Sequence, residues 1–192
     1  MFALFGLLSG ILSSLSYIPY IRDILRGKTK PERASFFIWS VLGCIAFVSQ
    51  FAEGATWSLL LMIETFIIFA VFLLSLKFGV GGFTRRDIFA LAVAGFGLIL
   101  WFLTRHAFLA LFITIGIDSI GTVLSVIKSY EDPESETISM WATVSVAGVL
   151  ALFAVGKWDF VLLAYPLYIA LANFAVVVAI LLGRRKKQTL HK

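Results

Sequence analysis

Two carboxyl groups sit deep inside apolar stretches of the chain, Glu64 between Trp57 and Leu76 and Asp118 between Ala107 and Ile127. An ionisable side chain at mid-bilayer is costly, so its default reading is functional, with a partner close by. At about 1.5 Å of rise per residue, Glu64 lies about 10 Å and Asp118 about 17 Å into its helix. Thr114, Thr122 and Ser125 recur with Asp118 at helical spacing and make one polar face, as Ser9, Ser13, Ser16 and Tyr20 do on the first stretch. Tyr165, Pro166, Tyr168 and Asn173 continue the pattern in the last one. Such groups can bind the hydroxyls of a solute, or Asp118 and Glu64 can carry a proton. Helix packing is the competing account of the serines and threonines, since small hydroxyl side chains bond across helices in membranes.

The same residues argue against an enzyme. His106 and His191 fall at a predicted outer turn and in the tail, apart from the single cysteine, Cys44, so no nucleophilic triad or metal cluster can be assembled. No cofactor is expected. A retinal protein would need a lysine between Trp158 and Gly183, and none is there.

The elements that must position these groups are membrane helices. Sixty per cent hydrophobic residues, 14% charged residues and a mean hydropathy of +1.00 exclude an ordinary soluble domain. The apolar runs are Phe2 to Leu25, Ser35 to Phe51, Trp57 to Leu76, Ile88 to Leu103, Ala107 to Ile127, Thr137 to Val155 and Trp158 to Gly183. A spanning helix needs roughly 17 to 25 mostly apolar residues, and about seven such stretches are present. Seven spans use nearly the whole chain and leave no room for a nucleotide-binding domain, so any transport is passive or driven by an ion gradient. The first residues lack the basic stretch of a secretory signal, and the segment is expected to be retained.

The chain also repeats itself. At an offset of 102 residues Leu7 matches Leu109, Ile18 matches Ile120, Pro31 matches Pro133, Glu32 matches Glu134, Trp39 matches Trp141 and Gly54 matches Gly156. Spans 1 to 3 thus correspond to spans 5 to 7, and span 4 is unpaired. Three spans per unit would insert two directly joined copies in opposite senses, so span 4 acts as an inversion linker that lets the repeats lie parallel. Thr84-Arg85-Arg86-Asp87 offers it a capping box after Gly79, Gly81 and Gly82. The expected organisation is a first repeat over 1–78, a linker helix over 79–104, a second repeat over 105–183 and a basic cytoplasmic tail over 184–192. At the repeat offset Ser16 pairs with Asp118 and Tyr20 with Thr122, which sets the two polar stripes opposite each other.

Lys and Arg place the chain in the membrane. Fourteen of the 16 fall in connections on one side, including Arg22, Arg26, Lys28, Lys30, Arg33, Lys128 and the tail, and only Arg105 and Lys157 on the other. The N-terminus is predicted outside and the C-terminus in the cytoplasm, in a cell (inner) membrane. Trp57, Trp101 and Trp158 fall at outer ends; Trp39 and Trp141 fall near inner ones, either as interface anchors or as stacking platforms for a solute. Pro19 and Gly121 occupy equivalent places and, with Pro166, are candidate hinges. The two inner connections carry opposite charge. Arg26, Lys28, Lys30 and Arg33 in one, and Glu131, Asp132, Glu134 and Glu136 in the other, suggest an electrostatic inner gate.

A parallel three-plus-one-plus-three design, with Tyr17-Ile18-Pro19-Tyr20-Ile21-Arg22 ahead of a basic turn and Ser35, and Ile63-Glu64-Thr65 in span 3, resembles the SWEET and PQ-loop superfamily. The resemblance implies a seven-helix carrier that moves a sugar, amino acid or vitamin by alternating access, although some of its members are sorting receptors. The proline-glutamine pair of the PQ-loop group is here Pro19-Tyr20 and Gly121-Thr122, and Asn173 stands opposite Val71. The expected function is a facilitator or proton-coupled carrier of a small polar solute bound by Ser16, Tyr20, Trp39, Glu64, Asp118, Thr122, Trp141 and Asn173. The alternative is a non-transporting receptor or scaffold of the same fold. The lipid bilayer and a small-molecule substrate are the expected partners, nucleic acid is not, and a homo-oligomer is left open.

Overall fold

The computed structural model describes residues 2–52, 58–104 and 106–190; Gly54, Trp57, Arg105 and His191, each used above, and the end of the tail lie outside them. Among the described residues the chain forms seven α-helices: α1 Phe2–Leu25, α2 Arg33–Ala52, α3 Ser58–Phe78, α4 Arg85–Leu103, α5 Ala107–Glu131, α6 Ile138–Ala154 and α7 Phe160–Leu190. Four of them, α1, α4, α5 and α7, are long and apolar enough by themselves to cross a membrane. Large apolar side chains such as Phe66, Phe89, Phe96, Phe102 and Leu171 face outward. A surface of this kind suits hydrocarbon, in which every backbone polar group must be satisfied within its own helix. The chain is a helical protein with the character of a membrane protein.

Helix ends follow from local chemistry. Thr84 accepts from the backbone N–H of Asp87, whose carboxylate accepts from the Thr84 N–H in return, so the capping box expected for α4 forms. Glu32 caps α2, its Oε2 accepting from the Ser35 N–H at 2.6 Å and the Ser35 hydroxyl at 2.8 Å. A single 3-10 turn, Pro133–Ser135, leads into α6 and begins with the proline, which lacks the N–H that a first position would leave unused. Gly81 has φ +73°, and a side chain there would run into the Glu32 carboxylate, so glycine is required on two counts. Lys128, counted above with the inner connection, lies within α5. The basic tail continues α7 as helix as far as Leu190.

The helices pack in a regular order. α3 packs against both α1 and α2, and α7 against both α5 and α6, while α1 meets α6 and α2 meets α5 between the halves. α4 lies on α5 and touches α2. Glycines allow close approach: a Cβ on Gly148 of α6 would stand 2.6 Å from the Ala170 nitrogen of α7, and one on Gly183 of α7 would stand 2.5 Å from the Tyr130 carbonyl oxygen of α5. The largest buried apolar cluster includes Tyr17, Tyr20, Ile24, Phe36, Met140, Trp141 and Ile180. It lies toward the end where α1 finishes and α2 and α6 begin. At the opposite end Phe5 of α1 meets Phe153 of α6, and Phe112 of α5 stacks on Phe160 of α7.

Candidate functional site

A cavity of about 840 Å³ lies between the helices, lined from all of them except α4. It reaches Phe2, Ala3 and Ala154 at one end. At the other it stops on Trp39 and Trp141, which pack with Tyr17, Tyr20 and Phe36 into one aromatic group: Tyr20 is 5.8 Å from Phe36 and 6.3 Å from Trp141, and Phe36 is 5.1 Å from Trp39, centroid to centroid. Its size is that of a small-molecule site, where apolar walls carry a few placed polar groups.

Asp118 is the centre of those polar groups. Its Oδ1 accepts from Trp39 Nε1 at 2.7 Å and Tyr168 Oη at 3.3 Å, and its Oδ2 from Tyr165 Oη at 3.3 Å. Three helices, α2, α5 and α7, therefore converge on one carboxyl group, which itself is buried. Thr122, one turn on, shares a hydrogen bond of 3.0 Å with Tyr168. Glu64 lines the same cavity from α3, with Ser13 of α1 beside its carboxyl group. Thr114 and Asn173 also line it, but their side chains bond the carbonyls of Ala110 and Ile169 in their own helices.

Of the residues expected to bind solute, then, Trp39, Glu64, Asp118, Thr122, Trp141 and Asn173 come together at the cavity. Ser16 and Tyr20 do not line it. Ser16 turns back to the Ser13 carbonyl at 2.6 Å, and Tyr20 is fully buried in the aromatic group below the floor. Ser9 and Ser13, two turns and one turn up the same stripe, are the residues that reach the cavity, and Ser9 also bonds the Ala147 carbonyl of α6 at 2.8 Å. The expected pair of stripes thus lines the cavity with its upper half and packs with its lower half. Tyr165 and Tyr168 were visible in the sequence as a polar face, yet nothing there marked them as the donors to Asp118.

Below the floor this end of the bundle is closed by hydrogen bonds between the connection before α2 and the one before α6, and between α2 and α5. The Lys30 N–H donates to the Ser135 carbonyl at 3.0 Å, and Thr29 and Thr137 share a hydroxyl hydrogen bond. The one Ser35 hydroxyl hydrogen is shared between Glu32 and the Gly121 carbonyl, 2.7 Å away, and its oxygen accepts from Ser125 at 3.0 Å. Gly121 matters here for closeness, because a Cβ would stand 2.9 Å from Trp39 Nε1. Pro19 and Pro166 lie inside α1 and α7, both continuous helices. The opposite charges of the two connections do not meet among the described residues. Glu131 pairs with Arg86, Asp132 with Lys187, Glu134 with Arg184 and Glu136 with Lys128, whereas Arg33 donates to the carbonyls of Ser75 and Gly81. In place of an electrostatic gate the two connections meet through hydrogen bonds, including Thr137 to Asp23 at 3.1 Å, because each acidic group finds a nearer cation on α4, α5 or α7.

One of those pairs is deeply buried. Lys128 Nζ lies 2.7 Å from Glu136 Oε1 and 2.8 Å from the Ser135 carbonyl, and Glu136 Oε2 accepts from Trp141 Nε1 at 2.9 Å. Nearby, at the mouth of the α3–α4 connection, Glu32 is held above the usual carboxylate range. Burial is the main cause; Asp87 acts in the same sense and the Ser35 contacts oppose it.

No family model, curated protein or solved structure matches the chain.

Proposed function

We propose that the chain is a seven-span carrier of the SWEET and PQ-loop kind, which moves a small polar solute by alternating access, as a facilitator or a proton-coupled carrier. In this reading residues 1–78 and 105–183 are parallel repeats about α4, the N-terminus is outside and the C-terminus cytoplasmic in a cell membrane. The observation that carries it is the cavity of about 840 Å³ centred on Asp118, reaching one end of the helices and stopped by Trp39 and Trp141 at the other. A carrier caught facing one side has this form. The packing order supports the repeat: α3 sits against α1 and α2 as α7 sits against α5 and α6, and the cross-contacts α1 with α6 and α2 with α5 exchange under the same correspondence. Solute would bind at Asp118, Glu64, Thr122, Asn173 and the two indoles, and separation of the Thr29–Thr137 and Lys30–Ser135 contacts would open the inner end.

The test is uptake into proteoliposomes of labelled hexoses, disaccharides, amino acids and vitamin-sized solutes, each with and without an imposed pH gradient. Saturable uptake lost in Asp118→Asn supports the carrier, and gradient dependence marks proton coupling. Binding of a ligand or protein partner with no flux from folded protein would favour the receptor or scaffold of the same fold.

A further inference from the structure

The cavity's described lining holds acidic groups without basic ones. Among the described residues that line it are two carboxyl groups, Glu64 and Asp118, and no Lys, Arg or His. Lys128 is paired with Glu136, and Arg33 is turned to the carbonyls of Ser75 and Gly81; neither lines the cavity. Buried charges in proteins are paired, and in a membrane interior the requirement is stricter. The partners Asp118 does have are neutral. Trp39 Nε1 can only donate, and the Tyr165 and Tyr168 hydroxyls stand 3.3 Å from the Asp118 oxygens, so the three contacts supply hydrogen bonds and no positive charge. Hydrogen bonds from neutral donors orient such a group without cancelling its charge.

We infer that the counter-charge arrives with the solute, and that the cavity takes an organic cation, a small molecule bearing an ammonium group. This rests on the carrier reading above and names its substrate class. Beyond the charge balance, the walls decide which cation. Trp39, Trp141, Tyr17 and Tyr165 present aromatic rings to the same space as the carboxyl groups. An ammonium group is attracted to such ring faces, most strongly to indole. A bare metal ion is not served this way; it takes about six oxygens or more from a tight shell, and no group of three His, Cys, Asp or Glu side chains is gathered among the described residues. A neutral polyol would leave both carboxyl groups uncompensated, and at Asp118 it would compete with three donors already in place.

The experiment uses the reconstituted full-length chain and matched pairs of probes: choline against dimethylbutanol, its uncharged carbon isostere, and ethanolamine against ethylene glycol. Binding is followed by indole fluorescence, since Trp39 and Trp141 line the cavity, and uptake by labelled choline and ethanolamine beside labelled hexose. The charged member of at least one pair is expected to bind about tenfold or more tightly than its neutral match, about 1.4 kcal/mol, and Asp118→Asn is expected to remove that preference. If that variant does not fold, Glu64→Gln carries the same expectation. Equal binding of charged and neutral members, or a preference that survives substitution of both carboxyl groups, overturns the inference. Hexose uptake that no cation competes for would overturn it and leave the carrier standing. Cation binding without flux would do the reverse, and neither binding nor flux from folded protein would remove both.

Discussion

Trp39 and Trp141, 102 positions apart in the sequence, lie with ring centroids 6.0 Å apart and planes inclined at 62°. Equivalent in the internal alignment, they are unequal in chemistry. The Trp39 indole crosses from α2 to Asp118 on α5, while that of Trp141 turns back to Glu136, two residues ahead of its own helix. Both rings line the cavity, but one indole N–H serves its carboxyl group and the other the ion pair beneath the floor, and substitutions should separate the two roles.

Trp39→Phe keeps an aromatic ring and removes the shortest donor to Asp118. A hydrogen bond to a charged group contributes about 1.5–3 kcal/mol to stability, so the melting temperature should fall, and solute affinity should fall with it because Asp118 loses the donor that orients it. Trp141→Phe should lower stability to a similar extent through its lost bond to Glu136, with a smaller loss of affinity. Saturation binding and thermal unfolding in detergent, measured on both variants, give the comparison.

Lys128 and Glu136 are both almost wholly buried and 2.7 Å apart. Removing one partner of a buried ion pair leaves the other charge uncompensated and costs about 3–5 kcal/mol. Lys128→Met should therefore unfold at a markedly lower temperature. Adding Glu136→Gln should restore much of the loss, because the amide oxygen can still accept from Trp141. A double-mutant cycle on unfolding checks the coupling, which should be strongly non-additive.

Gly148 and Gly95 offer a matched test of helix packing. Gly148→Ala puts a methyl 2.6 Å from the Ala170 nitrogen and 2.9 Å from its Cα, so α6 and α7 must move apart. Overpacking of this kind costs about 1–3 kcal/mol. Gly95→Ala on α4 meets nothing within 4 Å and should be neutral or slightly stabilising, since alanine favours helix by about 1 kcal/mol over glycine. Melting temperatures of the two variants, in the same detergent, should move in opposite directions or differ by several degrees.

Glu32 gives stability a pH dependence of known sign. Burial above all, with Asp87 adding, raises its folded-state value above that of the unfolded chain, while Ser35 opposes. The folded protein then holds the proton more tightly, so this contribution is full below the ordinary carboxylate range and is lost as pH rises through the raised value. Glu32→Gln keeps an oxygen for Ser35 and removes the titration. The variant should gain stability relative to the parent as pH rises from about 4 to 8, and a constant difference in melting temperature across that range would show that Glu32 does not titrate as described.

The helices and the polar inventory were legible in the sequence for simple reasons. Unbroken apolar runs allow little but helix in hydrocarbon, and carboxyl groups stand out there because they are costly. That is why Glu64 and Asp118 could be named, and why Thr84 and Asp87 could be read as a cap from four consecutive residues. Only the packed helices decided which polar residues share a space. Ser9, Ser13 and Ser16 look alike along α1, yet the crossing of α6 and the aromatic group leaves the first two at the cavity and buries the third. Tyr165 and Tyr168 became donors to Asp118 because α7 packs on α5, a contact between residues nearly 50 positions apart that no local pattern encodes. The charged connections show the same limit. Their opposite signs were plain in the sequence, but each of Glu131, Asp132, Glu134 and Glu136 pairs with whichever cation the fold brings within reach, and distance, not sign alone, chooses the partner.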